Sequence, residues 1–276
     1  MNTFDGRVAA ITGAGSGIGR ALAEALASRG AHLALADIDE DGLAETVARC
    51  EGRGVKITSV TLDVADRDAV YAWADQVVEE HGRVNLIFNN AGVALGATVA
   101  SMSDADFEWL MDINFWGVVH GTRAFLPHLT SSGEGHVVNL SSVFGLVSIP
   151  SQSAYNAAKF AVRGFTDALR IELEIEGSPV SATTIHPGGI KTNIARRARL
   201  DPSISAYGTQ PDQVGKDFDK LARTTPEKAA DQILAAVAAN KRRALIGPDA
   251  VVFDLVSRLP AGFYQRILVA GSKRRR

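Results

Sequence analysis

Residues 7–19 read RVAAITGAGSGIG, and this stretch decides the fold. Val8 to Ile11 is an uncharged, apolar run of the length of a buried strand. It breaks at Gly13, and over residues 17–29 (GIGRALAEALASR) apolar positions recur at helical spacing. Strand, glycine turn and helix in that order point the first N–H groups of the helix, and the positive end of its dipole, into the turn. That arrangement favours a pyrophosphate. Gly13, Gly17 and Gly19 let the backbone turn tightly and come close to phosphates, with Ser16 and Ile18 completing the cradle. The spacing is G-x-x-x-G-x-G rather than G-x-G-x-x-G, because Ile18 and Arg20 stand where the latter needs glycine. Taken alone, the segment also reads as a tight turn without a ligand.

The same rhythm continues outward. Further strands are predicted over residues 32–38, 56–64, 84–89, 136–141, 180–185 and 244–246, and helices over 39–51, 66–81, 104–129, 153–176 and 226–239. Alternation of this kind requires crossover connections and a mostly parallel sheet. Near-continuously apolar strands require helices on both faces. The expected architecture is α/β: a doubly wound Rossmann fold with a seven-stranded, mostly parallel sheet, spanning residues 1–276 as a single domain. Residues 189–225 break the rhythm with Pro, Gly, Ser and Asp, and a connection this long reads as a substrate-binding loop or lid. Residues 249–276 extend past the last strand in two apolar stretches separated by Pro260 and Gly262, ending in the basic run Lys273–Arg276. An extra helix on the core, a pocket cover, a subunit contact and a membrane-surface element all fit this extension.

Composition narrows the function classes. Hydrophobic residues make up 46% and charged residues 22% of the 276, as in globular proteins, which argues against disorder. A net charge of −2 gives no global basic excess for nucleic acid. Cys50 is the only cysteine, so no internal disulfide framework exists, and the six histidines show no metal-binding spacing; no metal is expected. The N-terminus lacks a signal-peptide pattern, and the two long uncharged stretches, 84–103 and 135–158, are rich in Asn, Ser and Gly, which excludes integral membrane spans. A cytoplasmic protein is expected.

Two carboxylates mark the nucleotide end. Asp37 closes the second strand, 18 residues beyond Gly19, where a carboxylate bonds adenosine ribose hydroxyls and repels a 2′-phosphate. With Ser16 and Ile38 rather than a basic residue beside it, NAD is favoured over NADP; an N-cap of the next helix is a compatible second role. Asp63 could bond the adenine amino group with Val64 beside the ring, or serve as a turn aspartate.

Tyr155 and Lys159 lie four apart in a predicted helix and so share a face. Ser142 stands thirteen positions earlier, just after a strand. A hydroxyl, a phenol and an ammonium suit carbonyl–alcohol redox chemistry: the serine orients the oxygen, and the tyrosine exchanges a proton with it. An unperturbed phenol titrates near about 10, and a neighbouring cation lowers that value.

With these residues in place, the chain resembles the short-chain dehydrogenase/reductase family. The matching pieces are Thr12-Gly-x-x-x-Gly-Ile-Gly19, Asp63-Val64, Asn89-Asn-Ala-Gly92, Asn114, Ser142, Tyr155-x-x-x-Lys159 and Pro187-Gly188, in the family's order and spacing over residues 12–192. The resemblance implies that Tyr155 is the general acid/base and that Ser142 holds the substrate oxygen. It implies that Lys159 binds the nicotinamide ribose and lowers the tyrosine pKa, and that Asn114 holds a water in a proton relay. Asn90, Ala91 and Gly92 would border the cofactor, and Pro187, Gly188, Ile190 and Thr192 would line its nicotinamide end. Ser141 remains an alternative hydroxyl, although the offset to Tyr155 matches the family only for Ser142. A homodimer or homotetramer through the long helices is implied as well.

The expected function is NAD-dependent hydride transfer between an alcohol, secondary and apolar, and its ketone or aldehyde. The apolar character comes from Val93–Leu95 and from Val143, Phe144, Leu146, Val147 and Ile149, which should face the substrate or pack their own loops. Arg196, Arg197 and Arg199 could meet an anionic group or form a solvated face. The competing readings are a non-catalytic NAD-binding regulator of the same fold and a nucleotide-sugar dehydratase or epimerase.

Overall fold

The computed structural model describes residues 3–208, 210–260 and 262–273; Arg274–Arg276 of the basic tail lie outside them. The elements run β1 (Val8–Thr12), α1 (Gly17–Ala27), β2 (His32–Asp37), α2 (Glu40–Cys50), β3 (Ile57–Thr61), α3 (Arg67–His81), β4 (Leu86–Asn89) and β5 (Leu95–Gly96). Then follow α4 (Asp104–Met111), α5 (Gly117–Ser131), β6 (Gly135–Leu140), α6 (Ser153–Ile175), β7 (Val180–Pro187), β8 (Arg199–Leu200), α7 (Val214–Leu221), α8 (Pro226–Ala238), β9 (Arg243–Ile246), α9 (Pro248–Ser257) and α10 (Phe263–Lys273).

Seven strands form one sheet in the order β3-β2-β1-β4-β6-β7-β9, and every pairing is parallel. Successive side chains of each strand feed opposite layers. Ile11 and Phe88 pack with Leu22 and Leu26 of α1 and with Ile233 and Val237 of α8. Ala10 and Ile87 pack with Trp73 of α3, Phe125 of α5 and Leu169 of α6. The strand order reverses between β1 and β4, so a crevice opens there, at the carboxyl ends of the strands.

Three local readings are refined. The stretch 104–129 is helical throughout, with a π-bulge at Asp112–Trp116 joining α4 to α5, a distortion that tends to occur at functional sites. The N-cap of α2 is Asp39, which accepts the Gly42 N–H at 3.1 Å, and not Asp37. Residues 189–225 are not structureless. They contain β8, two 3₁₀ turns (Pro202–Tyr207 and Pro211–Gln213) and α7.

Candidate active site

The glycine turn is closed by backbone bonds. Gly13 and Gly17 have φ of +67° and +53°, and a Cβ at Gly13 would lie 2.8 Å from Ala91 Cα. A Cβ at Gly19 would lie 2.1 Å from the Gly13 carbonyl oxygen, so α1 can pack here only with glycine. Asn90 Nδ2 donates to the carbonyls of Thr12 and Gly13 at 2.9 and 3.1 Å, and Thr12 Oγ1 accepts the N–H groups of Asn90 and Ala91. Sequence reasoning missed Arg20, whose guanidinium donates to the Gly15 and Gly42 carbonyls and ties the turn to α2.

This cradle fits a pyrophosphate. Ser16, the N-cap of α1, makes no side-chain cap bond, and no acidic residue stands in the first turn. Side chains do cap α2, α3, α4 and α8. The N–H groups at the start of α1 therefore face the glycine turn without a competing side-chain acceptor. Thr192 closes the far side, its methyl 3.0 Å from where a Gly17 Cβ would stand.

Asp37 Oδ2 accepts the Gly15 N–H at 2.7 Å, and Oδ1 accepts the Asp39 N–H at 2.9 Å. The carboxylate is thus fixed at the edge of the cradle. Asp63 is exposed and its Oδ1 takes the Ala65 N–H at 2.9 Å, forming an Asx turn. Val64 is 6% exposed, and a Cβ at Gly117 would lie 2.7 Å from its Cγ2, so its side chain packs on α5.

Ser142, Tyr155 and Lys159 converge at the other end of the crevice. Ser142 caps a 3₁₀ turn (Val143–Gly145), its Oγ accepting the Phe144 N–H at 3.1 Å. Its hydroxyl is close enough to the Tyr155 phenol to pull the phenol's pKa down. Ser141 instead donates its hydroxyl to the Lys159 carbonyl at 2.8 Å. Lys159 Nζ donates to the Leu140 carbonyl at 2.9 Å and lies 5.6 Å from the Tyr155 ring centroid. Burial pushes the phenol up to about 12 against the opposing pull of Ser142, and brings the ammonium down to about 8. The neutral phenol is therefore the ground state of the site as it stands.

Gly92 borders both Lys159 and Asn114: a Cβ there would stand 3.2 Å from Asn114 Oδ1 and 3.6 Å from Lys159 Nζ. Asn114, fully buried in the π-turn, accepts the Val93 N–H at 2.8 Å and donates to the Val93 carbonyl at 2.9 Å. Its amide holds the loop after β4.

Pro187 and Gly188 lead out of β7, and Ile190 is 3% exposed. Two supporting groups stand here. Asp249, in the first turn of α9, accepts the Gly189 N–H at 2.6 Å through Oδ2. His186 bonds the Ser142 carbonyl at 2.8 Å through Nδ1. Because a carbonyl only accepts, Nδ1 carries the proton. Nε2 is buried without a partner, and burial lowers the ring to about 4. Neither residue type carries a motif, which is why neither signalled its role.

The apolar loops are only partly free. Leu95, Val143, Leu146 and Val147 are buried at 2–5% exposure, which leaves Val93, Ala94, Phe144 and Ile149 partly accessible. Phe144 packs edge-on to Tyr155 and to Phe253 of α9, each at 6.2 Å between centroids. Arg196, Arg197 and Arg199 of the long loop are paired, not a free anion site. Arg196 pairs with Asp219, Arg197 with Asp39 at 3.1 Å, and Arg199 with Asp106 at 3.0 Å while lying 3.6 Å over the Trp109 ring. Arg197 is a basic group near the nucleotide edge that sequence spacing did not reveal. Cys50 is buried and its thiol is pushed up to about 11, which rules it out as a nucleophile. No metal-binding cluster and no helix long and apolar enough to cross a membrane occur among the described residues.

The family model described as short chain dehydrogenase matches residues 7–203. SadH of Mycobacterium tuberculosis, classed among the oxidoreductases, is 50% identical over 272 residues, 98% of this chain and 97% of its own. A short-chain dehydrogenase/reductase from Burkholderia phymatum, solved in complex with NAD, superposes with a TM-score of 0.87 at 35% identity, covering 96% of each chain. Carveol dehydrogenase from Mycobacterium avium, also solved with NAD, gives 0.74 at 27% identity over 85% of this chain and 91% of its own.

Proposed function

Because the chain belongs to the short-chain dehydrogenase family, whose members are oxidoreductases acting on CH–OH groups, we propose that it interconverts an apolar secondary alcohol and its ketone with NAD as hydride carrier. The observation that carries this reading is the meeting of Ser142, Tyr155 and Lys159, with the competing Ser141 hydroxyl engaged elsewhere. NAD, when bound, accepts or delivers the hydride at the reacting carbon. The Ser142 hydroxyl orients the substrate oxygen. Tyr155, a neutral phenol with a value near 12, gives that oxygen a proton in the reducing direction. In the oxidising direction it must first become a phenolate, which the Lys159 ammonium favours from one side of the ring. Asn114 and Gly92 keep the passage beside Lys159 open as the proton's route.

Gly13, Ser16, Gly17, Ile18 and Gly19 would hold the cofactor's pyrophosphate, with Asn90, Ala91 and Gly92 bordering it and Pro187, Gly188, Ile190 and Thr192 at its nicotinamide end. Asp37 selects NAD over NADP by bonding ribose hydroxyls, and Asp39 neutralises Arg197, the nearby cation that would otherwise welcome a 2′-phosphate. Asp63 and Val64 mark the adenine end. The NAD found with the Burkholderia phymatum and Mycobacterium avium relatives supports the cofactor. Residues 189–225 act as the substrate loop of a single dehydrogenase domain. A homodimer or homotetramer is part of the proposal, supported by Phe107, Trp116 and Phe160, which stand 39–47% exposed on the long helices and their π-turn. So is a cytoplasmic setting, supported by the lone, buried thiol.

Titration of the protein with NADH and NADPH by fluorescence tests the cofactor: tighter NADPH binding overturns the role given to Asp37, and binding of neither overturns the redox reading. Tyr155→Phe should keep NADH affinity and lose turnover by about 10²–10⁴-fold on whichever apolar alcohol the wild type oxidises. Near-normal turnover would discard the mechanism. Tight NADH binding with no turnover across alcohols and ketones would favour the regulator.

A further inference from the structure

We propose, on the premise that NAD carries the hydride, that α9 sets the geometry of its transfer by holding two loops at once, through Asp249 on one and Phe253 on the other. The two residues stand four apart, so their side chains leave the same face of the helix. An aspartate in a first helical turn ordinarily serves its own helix. Asp249 acts outside it: Oδ2 accepts the N–H of Gly189, sixty positions earlier, at 2.6 Å. The carboxylate also fills the space that two absent side chains leave. A Cβ at Gly188 would collide with it, and one at Gly247, where φ is +91°, would lie 2.8 Å from Oδ1. The turn Pro187–Gly188–Gly189, where the nicotinamide end would rest, is thus shaped against a group of α9.

Phe253 meets the other loop. Its ring stands edge-on to Phe144 at 6.2 Å between centroids, and Phe144 stands in the same way to Tyr155 at 6.2 Å. Phe144 belongs to the 3₁₀ turn that Ser142 caps. The Tyr264 hydroxyl of α10 accepts the Ser148 N–H of the same loop at 3.5 Å. The helix is itself seated on the sheet edge. Ala250 is fully buried, Asp254 faces Arg243 of β9 at 3.9 Å, and the Gly247 N–H just before α9 donates to Gln232 of α8 at 3.0 Å. Hydride transfer needs the two reacting carbons aligned at about 3–3.5 Å. Asp249 and Phe253 are positioning residues for that step: one fixes the turn under the hydride carrier, and the other steadies the wall behind the phenol.

The test compares Asp249→Ala, Asp249→Asn and Phe253→Leu with the wild type by NADH titration, emission of the bound nicotinamide, single-turnover hydride transfer and melting temperature. Asp249→Ala should bind NADH nearly as well, because the pyrophosphate cradle is built on β1 and α1. Its hydride transfer should slow by about 10–100-fold, and its bound NADH should emit more like free NADH. Asp249→Asn keeps an oxygen for the Gly189 N–H and should recover most of the rate. Phe253→Leu should slow hydride transfer by a smaller factor and leave the emission unchanged, and it carries the test if Asp249→Ala does not fold. Wild-type rate and emission in both Asp249→Ala and Phe253→Leu overturn the proposal. So does a rate loss that tracks melting temperature and that Asp249→Asn fails to recover. Failure of the redox premise looks different: the wild type then binds no NADH, or Tyr155→Phe turns over like the wild type, and the positioning role falls with it.

Discussion

The glycine turn after β1 and the strap of residues 189–225 meet across one crevice, Thr192 against Gly17 and Arg197 against Asp39. They are held by different forces. The turn is fixed by backbone groups and by side chains that bond backbone: Asn90 on Thr12 and Gly13, Asp37 on Gly15, Arg20 on Gly15 and Gly42. These contacts are partly buried, and leaving any of their donors or acceptors unmade costs about 1–3 kcal/mol. The strap is fixed by exposed ion pairs, Arg196–Asp219, Arg197–Asp39 and Arg199–Asp106, by a two-residue ladder between β5 and β8, by the Gly189 N–H on Asp249, and by the buried side chains of Ile190, Ile204 and Ala222. Exposed pairs contribute about 0–1 kcal/mol each. One side of the crevice is thus shaped by partly buried backbone contacts, and the other carries, besides its buried anchors, ion pairs that water screens.

The harshest trial of that contrast is Gly19→Ala. Its methyl would stand 2.1 Å from the Gly13 carbonyl oxygen, which cannot yield without breaking the turn. NADH binding should vanish and stability should fall by about 3 kcal/mol or more in urea titration. A variant that still bound NADH would mean the turn is as pliable as the strap.

Acid gives a smaller and graded effect at the substrate side of the crevice. His186 has a folded value near 4 against 6.5, so the unfolded chain binds more protons between these values. Its contribution is intact above about 6.5 and is lost as pH falls toward 4, at up to about 1.4 kcal/mol per pH unit. His136, lowered to about 3 by burial, adds a parallel loss. His186→Asn keeps a donor for the Ser142 carbonyl and removes the titration. The slope of melting temperature against pH should flatten in the variant, and an unchanged slope would assign the acid limb elsewhere.

Arg197→Ala should change least. Stability should shift by no more than about 1 kcal/mol, while NADH dissociation in stopped flow should quicken a few-fold as the strap loses its hold on α2. A large loss of stability would show that the strap is as much a part of the core as the turn.

The sequence by itself determined the sheet and the local chemistry. Apolar runs alternating with helical periods require parallel strands covered on both faces, because backbone pairing and burial leave no other arrangement. Gly13, Gly17 and Gly19 place the tight turn at the head of α1, because only glycine tolerates those backbone angles and approaches. Tyr155 and Lys159 share a face by helical arithmetic. What residues far apart in the chain do to one another was left to the tertiary structure. It engaged Ser141 with the Lys159 carbonyl, closed the Asn114 amide on Val93, brought Asp249 sixty positions onto Gly189, and matched Arg196, Arg197 and Arg199 each with an acid. Such pairings obey no period, since they follow from packing whole elements together. Side-chain reach across that packing, not local propensity, chose the partners.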